Sequence, residues 1–248
     1  MSISPTAAPV SPPVSRYFTE GVKVFLETSN IKPLLRLHLY ASEIFQTVRG
    51  YVPVDKFTAL VGTSYNFIDG CSIFGDLKLI LDTKSSKDPT KTKFQVWQEN
   101  RPAKAWGNLS FLAADTLGFA ALLGTAGIIN FAAIASKISN YTRIPLTTLS
   151  FAFSATALTF VVAAYTILLI SKSSKDDSRK RSAEYTHVTY LKLAEYLVGA
   201  VSAATACAAL AVGSSYIVTA AVVTGVTHET LKLARAIYYK SNVNAIKA

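Results

Sequence analysis

The stretch that decides the fold is TLGFAALLGTAGIINFAAIAS (116–136), followed after KISNYTR (137–143) by IPLTTLSFAFSATALTFVVAAYTILLIS (144–171). Neither long run holds a charge. A helix rises 1.5 Å per residue, so about 20 apolar residues cross the roughly 30 Å hydrocarbon core of a bilayer. Both runs reach that length. The interruption carries Lys137 and Arg143 and is followed at once by Pro145. The pattern predicts a transmembrane helical hairpin over 105–171.

Composition points the same way. Half of the 248 residues are hydrophobic and only 16% are charged, whereas a soluble domain carries nearer a quarter. The charges cluster outside the long apolar runs. The expected fold is therefore all-α, a multi-pass helical membrane protein with flanking amphipathic helices and the lipid bilayer as its first partner. The net charge is +10. Its cations flank apolar runs and do not form blocks interleaved with aromatics, so the positive-inside rule and anionic lipid account for them. No nucleic-acid partner is expected.

Toward the N-terminus, MSISPTAAPVSPPVS (1–15) has four prolines, four serines and no charge. Such a segment cannot bury enough apolar surface to fold. The region 16–104 reads as amphipathic helices and a Lys-rich linker. Phe18, Val22, Phe25 and Leu26 form one stripe. Asn30 is placed to cap a helix running to about Arg49, in which His38 is a packed or interfacial histidine. A further helix over 56–81 is interrupted by Asp69, Asp76 and Lys78, so it reads as water-accessible or interfacial rather than as a full span. The linker 82–104 ends in Trp97, Arg101 and Lys104, with Trp106 just beyond. These four residues are expected to anchor the first span at the headgroup level, and Lys137 and Arg143 do the same at its far turn.

Beyond the hairpin, 172–195 is the densest charged block, with Lys172, Lys175, Arg179, Lys180 and Arg181 as a cytosolic basic patch. The next apolar region, 196–227, has no charge, and as one straight helix it would be about 48 Å long, too long for a bilayer without strong tilt. Either it crosses once at a tilt, or it turns back near Gly213. The hairpin is preferred because it returns Lys232, Arg235, Lys240 and Lys247 to the cation-rich side. Gly199, Ala203, Cys207 and Gly213 are small residues suited to close helix packing. That feature also suits a homo-oligomer. A C-terminal amphipathic helix is expected over 228–248.

Catalytic patterns are missing. The sequence has no GxxxxGK, HExxH, CxxC or GxSxG, and its three histidines, His38, His187 and His228, lie in separate contexts. No enzymatic activity, cofactor or metal site is expected. Asp115 reads as an acid at the mouth of the first span. The spans otherwise hold no ionisable group, which weighs against a transporter or pore formed by oligomerised hairpins.

Residues 1–15 and the paired runs 116–136 and 144–171 together resemble the chlamydial inclusion membrane proteins. That family combines an unfolded type III secretion signal with a bilobed hydrophobic domain of two closely spaced helices. The resemblance implies export into a host cell and insertion in the membrane of the pathogen-containing vacuole. Both termini would then face host cytosol, where a host protein would be the partner, and the protein would organise membrane or host contacts. The chain departs from the family pattern in its mid-chain hairpin and in the second apolar region after it. The order of amphipathic helices before embedded ones also resembles the peroxins that elongate peroxisomal membranes.

Overall fold

The computed structural model describes residues 14–27, 30–49, 55–85, 88–142, 144–173 and 183–243. The uncharged start 1–13 lies outside them. The described residues are almost all helical: α1 (Val14–Leu26), α2 (Ile31–Arg49), α3 (Asp55–Gly70), α4 (Ser72–Leu81), α5 (Lys93–Asn100), α6 (Pro102–Thr125), α7 (Phe131–Thr142), α8 (Leu146–Ser173), α9 (Ala183–Val212) and α10 (Ser215–Ser241). The one β interaction among them is an isolated antiparallel bridge between Lys84 and Thr92.

Local chemistry explains most of the boundaries. Asn30 does not cap α2 with its side-chain oxygen. Its Nδ2 donates to the Val24 carbonyl at 2.9 Å and so ties off the end of α1. Helices α3 and α4 are nearly one element, parted at Cys71. The linker contains an ordered helix that the charge pattern concealed. Thr92 accepts from the Gln95 amide at 3.2 Å, and the Thr92 amide donates to Gln95 Oε1 at 2.8 Å. This reciprocal box starts α5. Just before it, the Thr90 amide and hydroxyl both donate to Asp88 Oδ1. That pair of bonds holds the exposed Asp88 carboxyl below the usual carboxylate range.

Helix α6 begins with Pro102 in its first turn, where a missing N–H costs nothing. It ends at Thr125, and Gly127 takes φ +71° in the connection that follows. This corrects the expected first span. The turn falls at 126–130, and residues 137–142 are helical as part of α7. Periodicity could not place the break because the residues on both sides of it are apolar. At the other hairpin, Gly213 takes φ +69° and only Ser214 separates it from α10. The region 196–227 is thus two helices.

The helices close a ring. Helix α10 packs on α9, α9 on α8, α8 on α6, α6 on α3 and α4, α3 on α2, and α2 back on α10. Helix α1 lies against α10 and α2, α5 against α4 and α6, and α7 between α6 and α8. Cross-ring pairs fix the directions. His187 meets Tyr238, Glu195 meets Arg235 and Thr205 meets Thr224, so α9 and α10 are antiparallel. Arg36 meets Glu229 and Gly225 faces Tyr40, so α2 is antiparallel to α10. Gly62 faces Leu39 and Lys32 meets Asp69, so α3 is antiparallel to α2.

Three helices are long and apolar enough to cross a membrane among the described residues: Pro102–Gly124 in α6, Thr148–Ile167 in α8 and Thr186–Val212 in α9. The protein is an integral, multi-pass membrane protein. Its burial pattern inverts that of a soluble bundle. Ile167, Leu197 and Val201 point outward, whereas Glu195 and Glu229 are buried. In hydrocarbon an apolar outer surface costs nothing, so the polar groups collect inside.

Candidate functional site: a charged chamber inside the helix ring

Two adjoining cavities occupy the ring. One has a volume of about 600 Å³ and is lined by six helices, α2, α3, α6, α8, α9 and α10, including Tyr40, Tyr65, Asn66, Ser150 and Ser154. The other, of about 370 Å³, is lined by Lys32, Asp76, Glu195, His228, Lys232 and Arg235 among others. They share Arg36, Asp69, Asp115, Phe151, Ser154, Ser202 and Ala203, so the two cavities adjoin across those residues and are taken together as the chamber.

Each charged wall residue is placed by its helix. Arg36 lies among the leucines of α2, and its Nη1 donates to Glu229 Oε1 at 3.2 Å. Its guanidinium sits 5.7 Å from the Tyr40 ring and 5.8 Å from the Tyr65 ring, within cation–π range. Glu229 on α10 is 1% exposed, and Lys232, one turn on, brings its Nζ to 3.7 Å from the second oxygen. On the neighbouring pair of helices, Arg235 donates through both Nε and Nη2 to the two oxygens of Glu195. That fork geometry is the strong form of an Arg–carboxylate pair. Lys32 reaches Asp69 at 2.5 Å and the Ser72 hydroxyl at 3.2 Å. Asp76 and Asp115 line the same space and make no ion pair among the described residues.

Glycine permits the close approaches. A Cβ on Gly199 would stand 2.7 Å from His228 Cε1. That contact seats the imidazole against α9, where its Nδ1 donates to the Glu195 carbonyl at 2.8 Å. A Cβ on Gly225 would stand 2.3 Å from the Tyr40 ring, so α2 and α10 touch only because glycine is there.

Several expectations are corrected by this arrangement. Asp115 is not at the mouth of a span but near the middle of α6, because α6 begins at Pro102. The spans are not otherwise free of ionisable groups. Glu195, expected in a cytosolic connection, lies within the apolar stretch Thr186–Val212 of α9 and is 2% exposed. Of the four small residues read as packing positions, Gly199 and Ala203 do pack inside the ring. Cys207 lies 3.8 Å from the Thr148 carbonyl. Gly213 instead makes the turn, with nothing within 4 Å of its would-be Cβ.

Among the interface residues, Lys104 Nζ lies 3.6 Å from the centre of the Trp97 ring. Arg101 precedes α6, and Trp106 is exposed. Lys137 is exposed on α7, and Arg143 lies outside the described residues. Lys172 falls in the last turn of α8, while Lys175, Arg179, Lys180 and Arg181 lie outside the described residues. His38 is packed, its ring 5.1 Å from that of Phe57 and its Nε2 3.2 Å from the Thr58 hydroxyl. Among the described residues no group of histidine, cysteine and carboxylate side chains is arranged to hold a metal.

Sequence reasoning missed Arg36, Glu195, Glu229 and Arg235 as a set. The available signal was an arginine inside a leucine run (LLRLHL, 34–39) and a glutamate at each end of an apolar region, Glu195 directly before it and Glu229 two residues after its end. No protein-family model, curated protein or solved structure matches this chain.

Proposed function

We propose that this protein is a small transporter or pore that admits a small polar solute to the interior of its helix ring. One observation carries the reading: paired and unpaired charges face two adjoining cavities inside helices whose outer surfaces are apolar. Ionisable groups in membrane helices are costly and mark solute or proton pathways by default. The chamber presents carboxylates and cations together, which suits a solute bearing both kinds of polar group. One chain supplies all six walls, so the reading does not need the oligomerised hairpins expected from sequence.

The test is flux. The purified protein in liposomes should pass protons, potassium ions or labelled amino acids faster than protein-free vesicles, and Asp115→Asn should change that rate. Vesicles no leakier than controls to all three would sink the proposal.

A membrane-organising or host-interaction role in a pathogen-containing vacuole is the second reading. It is supported by α1, whose Val14, Phe18, Val22 and Phe25 are exposed as an apolar stripe, as expected of a helix lying in a membrane interface. The uncharged start 1–15 supports secretion by a type III route. A reporter fused behind residues 1–15 that is not exported by a type III-competent bacterium would remove that support.

A further inference from the structure

Helices α3 and α4 together carry their charges on the wrong face for a water-accessible element. Asp69 and Asp76 line the chamber. The opposite face exposes Phe57, Leu60, Phe67, Phe74 and Leu81. Among the described side chains, exposed charge on this unit and the residue that follows it is confined to Lys56 near its start and to Lys78 and Asp82 near its end. Lys56 and Lys78 are about 33 Å apart along a helix rising 1.5 Å per residue, close to the thickness of the hydrocarbon core. Lysines at those two depths can snorkel to the headgroups.

The outward face also continues a surface that is already lipid-facing. Helix α6 is a spanning helix, and α3–α4 packs along it antiparallel. Phe74 stacks edge-on with Phe119 at 5.3 Å, and Gly70 faces Leu122. Asp69 and Asp115 line the same two cavities, and Asp69 Oδ2 stands 3.6 Å from where a Cβ on Gly118 of α6 would be, so the middle of α3–α4 lies level with the middle of α6. Helix α2 runs antiparallel to α3, wedged between α3 and α10, and its Lys32 and Arg36 face inward onto Asp69 and Glu229.

We infer that α3–α4 and α2 cross the bilayer with α6, α8, α9 and α10, and that lipid covers the exposed apolar face of α3–α4. The chain then runs up α2, down α3–α4, up α6, down α8, up α9 and down α10. Charge agrees with this path. The connections 82–101 and 174–182 and the end of α10 fall on one side. They carry Lys84, Lys87, Lys91 and Lys93 in the first connection, and Arg179 to Arg181 in the second. The opposite connections, 50–54 and 213–214, carry no cation, and 126–145 carries two. Six crossings therefore satisfy the positive-inside rule, as four through α6, α8, α9 and α10 would, and the cation-free connection 50–54 extends that agreement to α2 and α3–α4.

Single cysteines in a Cys71→Ser, Cys207→Ser background test the path in sealed vesicles with a membrane-impermeant maleimide. Lys56→Cys and Ser139→Cys should label from one side, and Thr19→Cys and Thr90→Cys from the other. Lys56→Cys labelling from the same side as Thr90→Cys would overturn the crossing of α3–α4. The occupant is tested separately with Phe67→Trp in a Trp97→Phe, Trp106→Phe background. Lipids brominated deep in their acyl chains should quench its fluorescence at least twofold. Absence of quenching would overturn lipid as the occupant. If Phe67→Cys then forms a disulfide-linked dimer, the face belongs to a second copy of this chain.

Discussion

Arg36 and Glu229 stand 193 positions apart in the chain and meet through a hydrogen bond of 3.2 Å across the contact of α2 with α10. The bond joins the second helix to the last and so closes the ring. Removing one partner leaves the other charge buried without a counter-charge, which costs about 3–5 kcal/mol. Glu229→Gln should therefore lower the unfolding midpoint in detergent sharply. The double variant Arg36→Gln, Glu229→Gln should lose less than the sum of the single losses. Strict additivity would show that the two residues are not coupled.

The Glu195–Arg235 pair depends on shape as well as charge. A lysine at position 235 keeps the charge but cannot present two N–H groups to both carboxylate oxygens. Arg235→Lys should destabilise the protein by about 1–3 kcal/mol, read by denaturant titration. A midpoint equal to that of the unmodified protein would mean that the forked geometry contributes nothing.

Gly199 is a packing test. The added Cβ in Gly199→Ala must displace the His228 ring, which is held on its other side by the Glu195 carbonyl. Overpacking of this kind costs about 1–3 kcal/mol. The combination Gly199→Ala, His228→Ala should recover most of that loss. If it does not, something other than the imidazole is in the way.

Asp115 separates stability from transport. It makes no ion pair among the described residues, so Asp115→Asn removes no partner. The unfolding midpoint should stay within about 0.5 kcal/mol of the parent or rise, while the liposome flux rate changes. A folded variant with parental flux would remove Asp115 from the pathway.

Gly213 tests the turn. Its φ of +69° is a conformation that alanine adopts only with strain. Gly213→Ala should cost about 1 kcal/mol, measurable as a lowered melting temperature in detergent. An unchanged melting temperature would mean that the connection relaxes freely.

Much of the architecture can be read from the residues. The apolar runs announce a helical membrane protein, the amphipathic stripes locate α1 and α2, and Gly213 marks a turn. What sequence conceals is where an apolar run breaks. The residues from 116 to 136 look like one span because periodicity cannot distinguish the end of α6 from the start of α7 when both are apolar. Misplacing that break moved Asp115 from the centre of a helix to its edge. The chamber was hidden for a different reason. Arg36, Asp69, Glu195 and Glu229 are each an isolated charge on a separate helix, and only tertiary packing brings them together. Asp69 and Asp76 give no sign in the sequence of the cavity they line, where Asp69 pairs with Lys32 of α2.

The connection between α9 and α10 is two residues long, Gly213 and Ser214. A turn that short keeps the ends of the two helices side by side. It also asks the insertion machinery to carry almost no polar chain across. On the six-crossing path inferred above the two helices enter the membrane as a pair, and Glu195 and Arg235, which meet across them, offset each other's charge as they do.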